Sequence, residues 1–384
     1  MRRLALLGST GSIGRQAVAV AARLPERVHV VGLAARRSLE SLCEQARRLA
    51  PGALALEEAG DPARARAELE RAAPGARVWV GPGSAARLAA EADADTVLNA
   101  VVGAAGLEAS LATLERGARL ALANKETLVV GGALVRQALE RGGGELVPVD
   151  SEHSAALQCL AGRDPAEVER LTLTASGGAL RNHPDWRRAT PAEVLAHPVW
   201  NMGPRITVDS ALLFNKGLEL IEAHWLFRLP WDRLAAVLHP QALVHAMVTF
   251  RDGSSLLQAA AADMALPIQL ALSWPERWCA PLPGLAPETL QGLEFSPILP
   301  GRHPAYDLAL AAGLAGGTAP CALNAADEVA VQAFLEGAVT LGQIPEILGR
   351  VLEAHAPQPV ESLEQLSRVD AWAREAARGQ VAHA

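Results

Sequence analysis

Short apolar runs alternate with stretches of helical spacing through the first part of the chain. Arg3–Leu7 predicts a buried strand, followed by a helix from Ser12 or Ile13 to about Arg23. Val28–Leu33 predicts a second strand and Ser38–Leu49 a second helix. Further strands are predicted at Arg77–Val80, Thr96–Val101, Arg119–Ala123 and Glu145–Val149, with helical stretches such as Leu107–Glu115 and Leu128–Leu139 between most of them. This alternation implies βαβ units and a parallel sheet, because neighbouring parallel strands need a crossover that a helix can supply.

After Asp150 the rhythm changes. Val168–Ala175 predicts a strand, and an irregular region rich in Gly, Pro, Asn, His and Trp runs from Gly177 to about Arg205. Loops of that length are commonly functional. One helix is predicted from about Ser210 to Trp225, then strands at Leu234–Leu238 and Leu243–Phe250, with Asp252-Gly253 as a hairpin turn before Ser254–Ala259. Prolines between Trp274 and Pro304 predict a linker. Tyr306–Ala315, Ala322–Leu335, Pro345–Ala354 and Leu363–Ala377 predict helices. The fold class expected is therefore α/β. A parallel sheet occupies residues 1–150, a mixed α/β part residues 151–275 with a mobile loop near 194–204, a linker 276–304 and a helical domain 305–384.

The 384 residues carry a net charge of −7, which disfavours nucleic-acid partners, since phosphate backbones are held by basic footprints. Cys43, Cys159, Cys279 and Cys321 are scattered and form no CxxC, as expected of a reducing compartment without disulfides or a zinc site. No uncharged apolar run reaches membrane-spanning length, and the apolar start is broken by Gly8 and Gly11 too early for a signal peptide; a cytoplasmic protein is expected. Lys125 and Lys216 are the only lysines in a chain whose other basic side chains are arginine or histidine. A compact ammonium that Arg does not replace is a candidate for chemistry, because a guanidinium is larger and does not readily give up a proton.

The segment Gly8-Ser9-Thr10-Gly11-Ser12-Ile13-Gly14 joins the first strand to the first helix. Glycines there allow a sharp turn and close approach of a pyrophosphate, and the helix start offers free N–H groups. The first domain is thus Rossmann-like, although a glycine triplet also fits a purely structural turn. Arg36-Arg37-Ser38 stands where NAD-specific folds place an acidic residue; arginines suit a 2′-phosphate and favour NADPH, the alternative being two surface arginines. Asn124-Lys125-Glu126 follows a predicted parallel strand, at the sheet edge where ligands bind. In Asp150-Ser151-Glu152-His153, an extended chain would aim Asp150 and Glu152 the same way, and oxygen ligands of that kind suit Mg2+ or Mn2+. The same residues also fit a helix start, the role expected of His153. Asp209-Ser210 is read as opening a helix on which Asn215, Lys216 and Glu219 share a face: a phosphate grip with a third metal carboxylate, or else an exposed Lys–Glu pair. Trp200 and Met202 in His197-Pro198-Val199-Trp200-Asn201-Met202-Gly203 fit a lid, and Ser176-Gly177-Gly178 could add a hydroxyl and N–H groups. His239 and His245 are expected to be structural.

The segments GSTGSIG, ANKETLV, PVDSEHSAALQCL, LTASGG, HPVWNMG, ITVDSALLFNKGLELIEAHWLF, LHPQALVHAMV and GGTAPCALNAADEVAV cover nearly the whole chain. In combination they closely resemble the 1-deoxy-D-xylulose-5-phosphate reductoisomerase family. That resemblance implies an NADPH-dependent, metal-assisted rearrangement and reduction of a sugar phosphate by a three-domain homodimer. It implies NADPH at Thr10, Gly11, Ser12, Ile13, Arg36, Arg37, Ser38, Asn124, Glu126 and Gly203, and a metal on Asp150, Glu152 and Glu219. Lys125, Ser151 and Glu152 would face the reacting part of the substrate. Ser176, His197, Ser210, Asn215 and Lys216 would hold the rest, with Trp200 and Met202 in the lid. Arg36 stands where relatives usually have glycine. Ala265 and Ala179-Leu180 replace the more usual arginine and Pro-Phe. Rival readings are another NADP-linked dehydrogenase, such as one acting on a semialdehyde, and a non-enzymatic nucleotide-sensing scaffold.

Overall fold

The computed structural model describes residues 1–200, 202–280 and 282–383. Asn201 of the predicted lid segment, Pro281 of the predicted linker and Ala384 lie outside the described residues. The chain forms two compact units. The first comprises Met1–Thr127, Leu134–Ser154 and Met264–Pro283; the second comprises Leu128–Ala133, Ala155–Asp263 and Gly284–Ala384.

The first unit is built on β1 (Arg2–Leu7), α1 (Ser12–Arg23), β2 (Val28–Ala35), α2 (Leu39–Leu49), β3 (Ala53–Leu56), α3 (Pro62–Ala72), β4 (Arg77–Val80), α4 (Ser84–Glu91), β5 (Thr96–Asn99), α5 (Leu107–Glu115), β6 (Arg119–Leu122), α6 (Glu126–Gly142) and β7 (Glu145–Pro148). All seven strands are parallel, in the order β4-β3-β2-β1-β5-β6-β7. The strands are mostly apolar beyond their first residues because helices cover both faces, and charged residues such as Arg2, Arg3, Arg77, Arg119 and Glu145 stand at strand starts. β3, with the sequence Ala-Leu-Ala-Leu, goes beyond the elements named from the sequence, as do α3 and α4. The strand order reverses between β1 and β5, so the loops after these two strands flank the crevice where such sheets take ligands.

The chain then enters α7 (Ser151–Leu160). The second unit continues with β8 (Val168–Ala175), α8 (Pro191–Leu195), α9 (Pro204–Ala211), α10 (Phe214–Phe227), β9 (Leu234–Leu238), β10 (Val244–Phe250) and β11 (Ser255–Ala259). α11 (Ala265–Ser273) returns to the first unit, where it packs against α1, β6 and β7. Its carbonyls are held by arginines from distant strands: Arg119 Nη1 donates to Leu272 O at 3.3 Å and Arg2 Nε to the same oxygen at 3.2 Å. β12 (Ser296–Pro297), α12 (Pro304–Ala315), α13 (Ala319–Leu335), α14 (Gln343–Ala354) and α15 (Leu363–Ala382) complete the second unit. Its sheet runs β11-β10-β8-β9-β12, with β8 and β9 parallel and the remaining pairs antiparallel, as the Asp252-Gly253 hairpin predicts.

Two expectations are corrected. The helix predicted from Ser210 to Trp225 is two helices, because Leu213 takes a left-handed conformation (φ 55°) and ends the first. Ser210 therefore closes α9 rather than opening a helix. Nor is the chain extended at Asp150-Ser151-Glu152: Ser154 N donates to Asp150 O at 2.8 Å, so α7 starts here and Glu152 lies in its first turn. The C-terminal helices share one apolar core with α9 and α10, containing Val208, Phe214, Leu218, Ile221, Leu323 and Phe334.

Candidate active site

In the first unit, the loop after β1 is built by close backbone approach. Gly8 has φ +76°, and a Cβ there would meet the backbone of Ala100, which follows β5. Gly11 caps the start of α1, so Thr10, Gly11, Ser12 and Ile13 present the loop and the helix N-terminus together. Gln45 Nε2 fixes the loop by donating to Ser9 O at 2.9 Å. β2 runs two residues beyond its predicted end, to Ala35, and places Arg36, Arg37 and Ser38 at the carboxyl edge of the sheet, all exposed.

After β6 a polar network fixes Asn124, which is buried. Its Nδ2 donates to Gly103 O (2.9 Å) and to Glu126 Oε2 (2.8 Å), and its Oδ1 accepts from Thr127 Oγ1 (2.5 Å). Thr127 contacts Ser110 Oγ at 3.2 Å, and Ser110 receives Asn99 Nδ2 at 2.8 Å. Asn99, Ser110 and Thr127 were not singled out from the sequence; isolated polar residues in apolar elements give no signal until the fold makes them neighbours. Lys125 is buried, and its Nζ lies 2.7 Å from Asp150 Oδ2. A carboxylate at the end of β7 thus holds an ammonium at the end of β6. His153 is fully buried with Nδ1 4.0 Å from the same Asp150 oxygen. Ser151 Oγ donates to Glu152 Oε2 at 2.5 Å.

In the second unit, Asn215, Lys216 and Glu219 occupy the first turns of α10. Asn215 Nδ2 donates to Glu219 Oε1 at 2.5 Å, and Lys216 Nζ donates to Glu219 Oε2. Lys216 is 3% exposed and Glu219 1%. That burial overturns the alternative of an exposed surface pair. Burying two charges on one helix face carries a desolvation penalty that an ordinary structural position avoids.

Ser176 directly follows β8, and Gly178 then folds against α9. Gly178 has φ +66°, and a Cβ there would strike the backbone of Ser210 and Ala211. This close approach sets Ser176 beside the end of α9. Ser176 Oγ accepts from Gly178 N (3.2 Å) and lies 3.1 Å from His197 Nε2. His197 Nδ1 accepts from Val199 N at 3.1 Å and Trp200 N at 2.9 Å, which places the ring proton on Nε2 and the donation toward Ser176. Burial pushes the His197 pKa below its ordinary value, so the ring is neutral at pH 7. Trp200 lies with its ring 6.2 Å from that of His245, Met202 is half-buried, and Gly203 is the exposed cap of α9.

Just past the predicted lid segment, Arg205 was also missed from the sequence. Its guanidinium donates to Asn324 Oδ1 (2.8 Å), Asp327 Oδ2 (3.1 Å) and Glu328 Oε1 (3.0 Å), all on α13. Glu328 also accepts from Arg374 of α15 at 2.7 Å. None of the four cysteines is in a disulfide. Among the described residues no helix is long and apolar enough to cross a membrane.

Comparison with known proteins follows this arrangement along the whole chain. Residues 4–132 match the family described as 1-deoxy-D-xylulose 5-phosphate reductoisomerase, residues 146–227 its C-terminal domain, and residues 260–376 the DXP reductoisomerase C-terminal domain. The reductoisomerase of Thermomicrobium roseum is 47% identical over 99% of this chain and 98% of its own. That of Rhodococcus jostii is 49% identical over 99% and 94%. The Zymomonas mobilis enzyme, solved with NADPH, superposes with a TM-score of 0.91 at 35% identity, covering 99% of both chains. A reductoisomerase solved with NADPH, fosmidomycin and magnesium gives 0.93 at 33% identity, over 99% of this chain and 98% of its own. This chain belongs to the 1-deoxy-D-xylulose 5-phosphate reductoisomerase family.

Proposed function

We propose that the chain converts 1-deoxy-D-xylulose 5-phosphate to 2-C-methyl-D-erythritol 4-phosphate in the non-mevalonate isoprenoid pathway, by skeletal rearrangement followed by reduction with NADPH. The observation that carries this reading is the Asn215–Lys216–Glu219 cluster, two buried charges and an amide on one face of α10. Membership of the family and relatives solved with NADPH and magnesium support it.

Asp150, Glu152 and Glu219 would hold the divalent cation. Three carboxylates without a nitrogen or sulfur donor fit Mg2+ or Mn2+ rather than zinc. When bound, the cation polarises adjacent substrate oxygens and NADPH supplies the hydride. Lys125, oriented by Asp150, would steady negative charge developing on the substrate, with Ser151 and Glu152 at the reacting end. Ser176, Ser210, Asn215 and Lys216 would grip the phosphate, and the neutral His197 would donate through Nε2. Trp200 and Met202 would cover the substrate and exclude water. Thr10, Gly11, Ser12, Ile13, Arg36, Arg37, Ser38, Asn124, Glu126 and Gly203 would bind NADPH. The three-part division at residues 150, 275 and 304 is kept as the functional partition, in a cytoplasmic homodimer. An exposed edge strand, β11, with Leu256 40% and Leu257 48% exposed, supports association of two copies.

The test is to follow NADPH absorbance with deoxyxylulose phosphate and Mg2+. Consumption that requires both substrate and metal is expected. Undiminished turnover in chelator would favour a semialdehyde-type dehydrogenase, and NADPH binding with no consumption would favour a nucleotide-sensing scaffold.

A further inference from the structure

Two carboxylates follow β3 side by side and do different things. Glu57 serves the scaffold: its Oε2 accepts from Gly83 N at 2.9 Å and its Oε1 from Ala85 N at 2.6 Å, capping the start of α4. Glu58 has other partners. Its Oε1 accepts from Arg36 Nε at 2.5 Å and its Oε2 from Arg37 Nε, so one carboxylate spans both arginines at the end of β2. Glu58 also lines an open cleft of about 570 Å³ with Arg37, Leu39, Leu56 and Arg64. The other charged groups of this cleft are committed elsewhere. Arg64 pairs with Glu68 at 2.8 Å, and Asp61 caps α3 by accepting from Arg64 N at 3.0 Å.

The chemistry of this corner is that of a phosphate monoester beside an apolar ring. Arg37 lines the cleft with Leu39 and Leu56 as apolar wall, and Arg36 adds its guanidinium beside it through the shared Glu58. On the cofactor reading given above, which this inference deepens, a 2′-phosphate must take the donors that Glu58 now holds. We propose that Glu58 is a specificity-determining residue, an internal competitor that occupies Arg36 and Arg37 and limits the advantage of a 2′-phosphorylated cofactor over its unphosphorylated counterpart. Hydrogen bonds from Arg36 and then Arg37 hold the Glu58 carboxyl below its ordinary range, so it remains an anion and the competition persists at neutral pH.

The expected effect is modest, because the pair is exposed and solvent screens it. Glu58→Gln should tighten binding of 2′,5′-ADP roughly two- to fivefold while leaving 5′-ADP unchanged, the scale on which surface ion pairs act. Titration calorimetry of both nucleotides against native chain, Glu58→Gln and Glu57→Gln measures this directly. Glu57→Gln loses a helix cap and should shift the unfolding midpoint without altering the ratio of the two affinities. A Glu58→Gln ratio equal to or below that of the native chain overturns the inference but leaves the cofactor reading intact. Native chain that does not prefer 2′,5′-ADP to 5′-ADP overturns both.

Discussion

Lys216 is buried, at 3% exposure, with its ammonium on the Glu219 carboxylate. In a chain that otherwise uses arginine, each of the two lysines sets a compact ammonium against a carboxylate, Lys125 on Asp150 being the other. Lys216→Arg should leave a folded protein whose kcat/KM falls by about 100-fold, the effect of misplacing a positioned group by about 1 Å. Steady-state kinetics beside a thermal melt checks it, and near-native kinetics would remove Lys216 from the site. Asn215, Lys216 and Glu219 were legible in the sequence because helical spacing alone puts them on one face. Glu58 and Arg205 were not, because their partners lie 21 to 22 and 119 to 123 residues away. No spacing rule connects side chains that only the fold brings together.

At the scale of elements, the break between α9 and α10 shows what periodicity misses. The apolar pattern runs on through Leu212, Leu213 and Phe214 with neither glycine nor proline, so the sequence reads as one helix. The left-handed Leu213 is enforced by tertiary packing, with Leu213 itself 2% exposed. α9 is tied to α13 through Arg205. Arg205→Met would leave the fully buried Asp327 without its guanidinium, and a loss of about 3–5 kcal/mol is expected in denaturant unfolding. Gly178→Ala combines a positive φ with backbone overlap at Ser210 and Ala211. It should cost about 1–3 kcal/mol and raise the KM for the sugar phosphate, because relief of the overlap displaces Ser176. An unchanged KM would show that this corner does not set the phosphate grip. The parallel sheet was legible because apolar runs alternate with helical stretches along this part of the chain, whereas Ala-Leu-Ala-Leu of β3 fits a helix as well as a strand.

For the molecule as a whole, three histidines make stability depend on pH in one direction. Burial is the leading cause lowering the pKa values of His197, His303 and His355 from 6.5, and Arg302 adds to the effect at His303. The folded chain therefore prefers these rings neutral. As pH falls through 6.5 the unfolded chain takes up protons first, and stability present above that pH is lost until the folded-state values are passed. Urea midpoints should be lower at about pH 5.5 than at about pH 7.5, and His303→Gln with His355→Gln should flatten the difference. Equal midpoints for the native chain would contradict the burial argument. The path of the backbone has a consequence of another kind. α11 belongs to the first unit but is made only after roughly a hundred further residues have left the ribosome. Until then Arg2 and Arg119 lack the carbonyls they hold, and the apolar backs of α1, β6 and β7 stay uncovered. The nascent nucleotide-binding half must therefore wait, incomplete, through the synthesis of much of its companion.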